Sequence, residues 1–295
     1  MRSPLPSVVS VEEFLQALPR EELLYHPNRG NAGDALIAIA TCQLFRRLGV
    51  RFRLMPTEQF DGTGRVVLYG GGGNLVPMYS DAARFLRQHQ SAKHVILLPH
   101  TVWGHEALLE SLGQNVTIFC RELVSYEHVC RHALHAEVLL AEDLAIGLDL
   151  PAARYPTADL SRGSDVASRR IIEDWMFVAR LELGRGLWGD PQTLNAFRQD
   201  LERTAYRPPA PNYDVSRVGH GCRSEQLAAY SSMRLLSVVD RFDRVNTNRL
   251  HVCIAAALLG KTVNLYPNSY YKCKAVYDFS LAARFPAVTW MGGSD

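Results

Sequence analysis

The chain has 295 residues, 47% of them apolar, which is enough for two domains of ordinary size, or one large one, to fold without staples. Its 32 basic and 30 acidic side chains leave a formal charge of +2 and an isoelectric point near 8.2, with no long like-charge run. Nucleic acid is therefore not an expected partner. The six cysteines form no Cys-x-x-Cys pair, which fits reduced thiols in a cytosolic protein and fails the spacing of a zinc ribbon.

Met1 to Gln16 contains Glu12 and Glu13 and no continuous apolar core, so it does not read as a secretory signal. The apolar run Val252 to Leu259 is too short to span a bilayer. These features predict a soluble cytoplasmic protein, with room for attachment at the inner face of the membrane through a partner or a lipid-linked substrate.

Glu21 to His26 reads as a short strand that enters the loop Asn28 to Asp34, and Ala35 to Leu48 is apolar at helical spacing and closed by Gly49. Strand, glycine loop and helix is the arrangement that aims backbone N–H groups at a ligand, although the loop matches neither Walker A nor G-x-G-x-x-G. Val50 to Met55 and Arg65 to Tyr69 read as strands, the second ending in four glycines and Asn74. Four glycines against a buried strand predict a ligand-facing loop rather than a linker.

Three more alternations follow. They are a strand from His94 to Thr101 with a helix near His105 to Leu112, a strand from Val116 to Cys120 with a helix ending near Leu134, and a strand from Ala136 to Leu140 ending in Glu142-Asp143. Such alternation predicts a parallel sheet covered on both faces, with ligands at the carboxyl ends of the strands, where Gly30, Gly73, His100, Arg121 and Asp143 fall. His128, His132 and His135 share one helical face that could bind a metal, but no carboxylate or fourth histidine completes a set, so a solvated face is the expectation.

Leu150 to Ser168 reads as a linker, after which the pattern restarts: a strand at Trp175 to Arg180, helices at Pro191 to Thr204 and Ser224 to Val239, and a strand at Phe242 to Val245. The strand Thr262 to Tyr266 and a helix opened by Pro267 to Lys272 and running through Leu281 complete it. The predicted fold class is α/β with two Rossmann-like domains, 1–155 and 156–295, their parallel sheets facing a central cleft. Between the last of these strands and helices lies Thr247-Asn248-Arg249-Leu250-His251, which places an arginine and a histidine after a cap-like Asn248 at a helix N-terminus, a setting suited to an anion.

Gly30-Asn31-x-Gly33-Asp34, the Gly70 to Asn74 run, Leu98-Pro99-His100-Thr101, Arg121-Glu122-x-x-Ser125, Thr247-x-Arg249-x-His251 and Asn268-Ser269-Tyr270-x-Lys272 occur in that order. The ordered set resembles the polysaccharide pyruvyl transferase family over roughly residues 28 to 281. The resemblance implies a GT-B-like fold and transfer of pyruvate from phosphoenolpyruvate onto a sugar of an exopolysaccharide or cell-wall unit as a ketal. It departs from the family at His100, where glutamine is common, and at Pro267-Asn268, where Asp-Asn is common.

Phosphoenolpyruvate carries a carboxylate and a phosphate, which planar arginine forks bind bidentately, so Arg121 and Arg249 are the expected donor ligands. The motifs add Gly72, Gly73, Asn74 and Lys272 to the donor set, and Asn31, His100 and Asn268 to the acceptor set. Protonation of the enol carbon suits a histidine, and His251 is the candidate; Asp34 or Asp143 is the candidate base for the sugar hydroxyls. The scheme requires no metal and no organic cofactor; its partners are phosphoenolpyruvate and a glycan acceptor. A sugar-nucleotide glycosyltransferase and a catalytically silent glycan- or phosphate-binding module are the competing readings.

Overall fold

In the computed structural model, residues 8–151, 165–187, 190–219 and 221–293 are described. They separate into two compact units: Met1–Asn28 with Ala40–Gly147, and Arg29–Ile39 with Leu148–Asp295. Most of the predicted linker, 152–164, lies outside the described residues.

The first unit is built on seven strands: β1 (Leu23–His26), β2 (Phe52–Leu54), β3 (Val66–Tyr69), β4 (Gly72–Leu75), β5 (His94–Val102), β6 (Val116–Cys120) and β7 (Glu137–Leu140). All pair in parallel, in the order β2-β1-β3-β5-β6-β7, with β4 also on β5. Every residue of β1, β3 and β6 is buried, as expected where both faces of a parallel sheet are covered. Leu23, Tyr25, Phe45, Leu68, Ile96 and Phe119 join in one core. The covering helices are α1 (Val11–Ala17), the part of α2 (Ala32–Arg47) from Ala40 on, its first eight residues belonging to the second unit, α3 (Asp81–Gln88), α4 (Glu106–Glu110) and α5 (Leu123–His132). Gly49, at φ +67°, ends α2: its N–H donates to Arg46 and that of Val50 to Phe45, the paired bonds of a left-handed C-cap.

The glycine run is not the loop predicted from sequence. β3 lies on β5 from Val66 to Tyr69, and β4 continues along the same edge with Gly72 opposite His100 and Leu75 opposite Val102. Gly70 and Gly71 form the kink between the two segments. A Cβ on Gly70 would stand 2.6 Å from the Asn28 nitrogen, so glycine is required there by close packing of backbone on backbone.

The second unit carries four parallel strands in the order β11-β10-β9-β8: β8 (Thr193–Ala196), β9 (Arg244–Thr247), β10 (Thr262–Leu265) and β11 (Val288–Trp290). An asparagine ladder fixes the register. Asn264 donates to Asn246 and Asn246 to Asn195, each bond 2.9 Å, between residues directly opposite one another. The helices are α6 (Asp165–Leu187), α7 (Glu225–Val239), α8 (Leu250–Leu258) and α9 (Lys272–Val276), which runs on into a π-helical turn (Tyr277–Leu281).

Two predictions fail here. Trp175 to Arg180 is not a strand but part of α6, because the buried positions Asp174, Val178, Leu181 and Gly184 recur at helical spacing while Trp175 and Met176 are 64% and 53% exposed. Pro191 to Thr204 is not a helix: it contains the four residues of β8 and then a turn.

Candidate active site

In the second unit, β8, β9 and β10 end level with one another, at Ala196, Thr247 and Leu265. The residues that follow therefore gather at one sheet edge. Asn248 is not the helix cap expected from sequence. Its Oδ1 accepts the Arg198 N–H (2.9 Å), Thr247 Oγ1 accepts that of Arg249 (3.0 Å), and Arg249 is the cap residue of α8. Arg249 makes no side-chain cap bond to its own helix, so its fork is directed elsewhere.

That fork grips Asp214 with both ends, Nε to Oδ1 at 2.6 Å and one terminal nitrogen to Oδ2 at 2.5 Å, and the same nitrogen lies 2.9 Å from Asp200. Asp200 is in turn held by Arg198 at 2.7 and 3.0 Å, Arg198 reaches Glu202 at 2.5 Å, and Glu202 pairs with Lys272 and accepts from Asn268 at 3.1 Å. Cations and carboxylates alternate along this chain, three of each. Burial alone would raise the Asp200 and Glu202 carboxyls, but Arg198 and Arg249 around the first, and Lys272 and Arg198 around the second, hold both below their ordinary range.

His251 stands in the first turn of α8, half-buried. The glycine loop reaches it. Asn31 Oδ1 accepts the Gly33 N–H and Asp34 Oδ2 accepts that of Asn31, both at 2.8 Å, a reciprocal box that opens α2. A Cβ on Gly33 would lie 2.7 Å from both Cβ and Nδ1 of His251, so glycine alone lets the imidazole settle against this turn. One histidine thus sits where the positive ends of two helices, α2 and α8, meet. Gly221, at φ +68°, closes over the loop from its other side, where a Cβ would come within 3.0 Å of the Gly30 carbonyl.

The first unit brings together Asn74, His100, Arg121 and Asp143. Asn74 faces His100 Nε2 with both its backbone N–H (3.1 Å) and its Oδ1 (2.9 Å), and its amide nitrogen donates to Asn28 and Tyr69. Arg121, only 1% exposed, donates to Thr101 at 2.9 Å and to Asp143 at 2.7 Å. Full burial, assisted by the Arg121 charge, pushes the His100 pKa down to about 3, so its ring is neutral. Beside it Glu122 caps α5 through Ser125, and burial raises its carboxyl. Gly72 and Gly73 belong to β4, next to Asn74.

Residues 31–270 match the family described as "Polysaccharide pyruvyl transferase". The chain belongs to that family. It is 25% identical to the "Putative pyruvyl transferase EpsO" of Bacillus subtilis (strain 168), over 90% of this chain and 89% of that one. A crystal structure of an uncharacterized protein from Klebsiella pneumoniae subsp. pneumoniae NTUH-K2044 superposes with a TM-score of 0.73 at 28% identity, covering 93% of this chain and 94% of the other. Family membership supports transfer of a pyruvyl group to a polysaccharide and makes the chain a transferase, and it is consistent with a glycan acceptor. Among the described residues no helix is long and apolar enough to cross a membrane.

Sequence reasoning had missed Arg198, Asp200, Glu202 and Asp214. The available signal was the cluster Arg198-x-Asp200-x-Glu202 itself, one arginine and two carboxylates beginning two residues after a strand end.

Proposed function

We propose that this transferase uses phosphoenolpyruvate as donor and joins its pyruvate carbon to two hydroxyls of one sugar as a cyclic ketal. The observation that carries the reading is the place of His251, between two helix N-termini and beside Arg249. The ion-pair chain is already balanced, so an incoming carboxylate and phosphate need additional positive potential, and the first turns of α2 and α8 supply it. Arg249 is held rigid by Asp214 and Lys272 by Glu202, so neither cation has to be ordered when the donor binds.

In the proposed sequence His251 gives a proton to the enol methylene carbon, and the adjacent carbon takes up a sugar hydroxyl as that hydroxyl loses its proton. Phosphate then departs, and the second hydroxyl closes the ketal as its proton passes to the His251 imidazole deprotonated in the first step. Asp34, half-buried at the opening of α2, is the better-placed base, since Asp143 is buried against Arg121. Asn31 and Asn268 are assigned to the acceptor side. Within the first unit, the buried Asn74, His100 and Arg121 network frames Gly72 and Gly73. No metal or organic cofactor enters this chemistry.

The test is acceptor-dependent release of phosphate from phosphoenolpyruvate, with the new quaternary carbon of the ketal observed by NMR. Stabilisation against heat by nucleotide sugars and not by phosphoenolpyruvate would overturn the proposal.

A further inference from the structure

We infer that the first unit holds a divalent transition-metal ion, of the zinc class, between Glu106, His128 and His132. His128 and His132 are one turn apart on α5, their rings 5.0 Å from one another. The carboxylate that completes the set comes from α4. One ligand atom from each of Glu106, His128 and His132 lies within 4.8 Å of the other two. Around a tetrahedral zinc ion such atoms stand roughly 3.3 Å apart, so no pair has to close by more than about 1.5 Å. Glu106 is about half exposed and His132 about a quarter, so side-chain rotation suffices.

Two more oxygens border the set. The Gly104 carbonyl is 2.9 Å from His128 Nε2, which donates to it as the chain stands, and the Glu110 carboxylate is 3.2 Å from His132 Nδ1. An ion that replaces the Nε2 proton meets that same carbonyl. Two imidazole nitrogens with carboxylate and carbonyl oxygens form a borderline-soft donor set, which favours zinc, cobalt(II) or nickel(II) over magnesium or calcium.

The position gives the ion a mechanical role. Gly104 and His105 both hold left-handed backbone, φ +66° and +60°, in the turn that leads from β5 into α4, and His105 has no glycine's licence for it. β5 carries His100 and Thr101, and the Ser125 hydroxyl of α5 accepts the Val102 N–H at 2.7 Å. A metal joining α4 to α5 therefore fixes the exits of β5 and β6, where His100 and Arg121 are mounted.

The experiment uses the full chain with any histidine tag removed, stripped with EDTA, and titrated with zinc by calorimetry and with cobalt(II) by visible absorption. The expected result is one saturable equivalent per chain, with a higher melting temperature when the ion is bound. Glu106→Gln and His132→Gln should abolish that equivalent, while His135→Gln, an exposed residue past the end of α5, should keep it. Melting temperatures in EDTA verify that each variant is folded, and exposed Glu106 gives the safest comparison. No saturable binding by the parent chain, or binding unaltered in Glu106→Gln and His132→Gln, overturns the inference.

Discussion

At the scale of single residues, a charge held in a network is tested by removing it with and without its partner. Arg249→Ala leaves Asp214 buried without its bidentate partner, and the loss expected is about 3–5 kcal/mol of stability. Taking away Asp214 as well removes the orphaned charge, so the double variant should regain much of the melting temperature while remaining unable to bind phosphoenolpyruvate. Recovery of donor affinity in the double variant would show that Arg249 serves the fold alone. His251 is tested differently, because it is half-buried and its proposed role is proton transfer. His251→Gln should lower turnover by roughly 10²–10⁴-fold with donor affinity largely retained, the range for removal of a general acid. Near-normal turnover per folded molecule, with a lowered melting temperature, would make it a packing residue. Arg249 and His251 could be read from sequence because a helix start announces itself locally. Asp214 could not, since it meets Arg249 across 35 residues and nothing local marks the pair.

At the scale of elements, the glycine run changes what a substitution there tests. As a loop, it would have let Gly72→Val block substrate in an intact fold; as the first residue of β4, buried at φ +146°, Gly72 occupies backbone that a β-branched residue avoids. The expected outcome is a stability loss of about 1–3 kcal/mol, with Asn74 displaced from His100 and activity lost with it. Thermal melting beside an activity assay decides: a variant with unchanged melting temperature and no activity would return the run to its loop reading. The elements that the sequence revealed were those with one dominant period and a clear stop, such as α2 with Gly49 and α7 with its Ser224 cap. α6 and β8 stayed hidden for opposite reasons. α6 puts Trp175 and Met176 in solvent, which imitates a strand's apolar run, and β8 is four residues long with a polar Asn195 committed to the asparagine ladder.

At the scale of the whole molecule, each unit has its own sheet, and their buried titratable groups differ in kind. In the first unit, burial lowers the pKa of His89, His94 and, to about 3, His100. In the second, the groups held low are the carboxyls of Asp200 and Glu202. A group whose folded pKa lies below its unfolded value stabilises fully above the unfolded value and loses that contribution as pH falls, because the unfolded chain takes up the proton first. For the histidines the loss begins near pH 6.5, at about 1.4 kcal/mol per pH unit for fully buried His100 and less for the two more weakly shifted rings; for the carboxylates it begins only near pH 4. Glu122 works in the opposite sense, since its raised carboxyl binds its proton more readily in the folded state and so offsets part of the histidine loss. Three histidines against one glutamate leave the first unit the more acid-sensitive between about pH 6.5 and 4.5. Hydrogen exchange at a series of pH values, corrected for the intrinsic exchange rate, should show β3, β5 and β6 losing protection in that window while β8, β9 and β10 keep theirs. Replacing His100, the most strongly shifted of the three, by glutamine should move the first unit's loss to lower pH. Equal loss in both sheets, or loss beginning only below pH 4, would mean that the buried histidines do not govern the acid response.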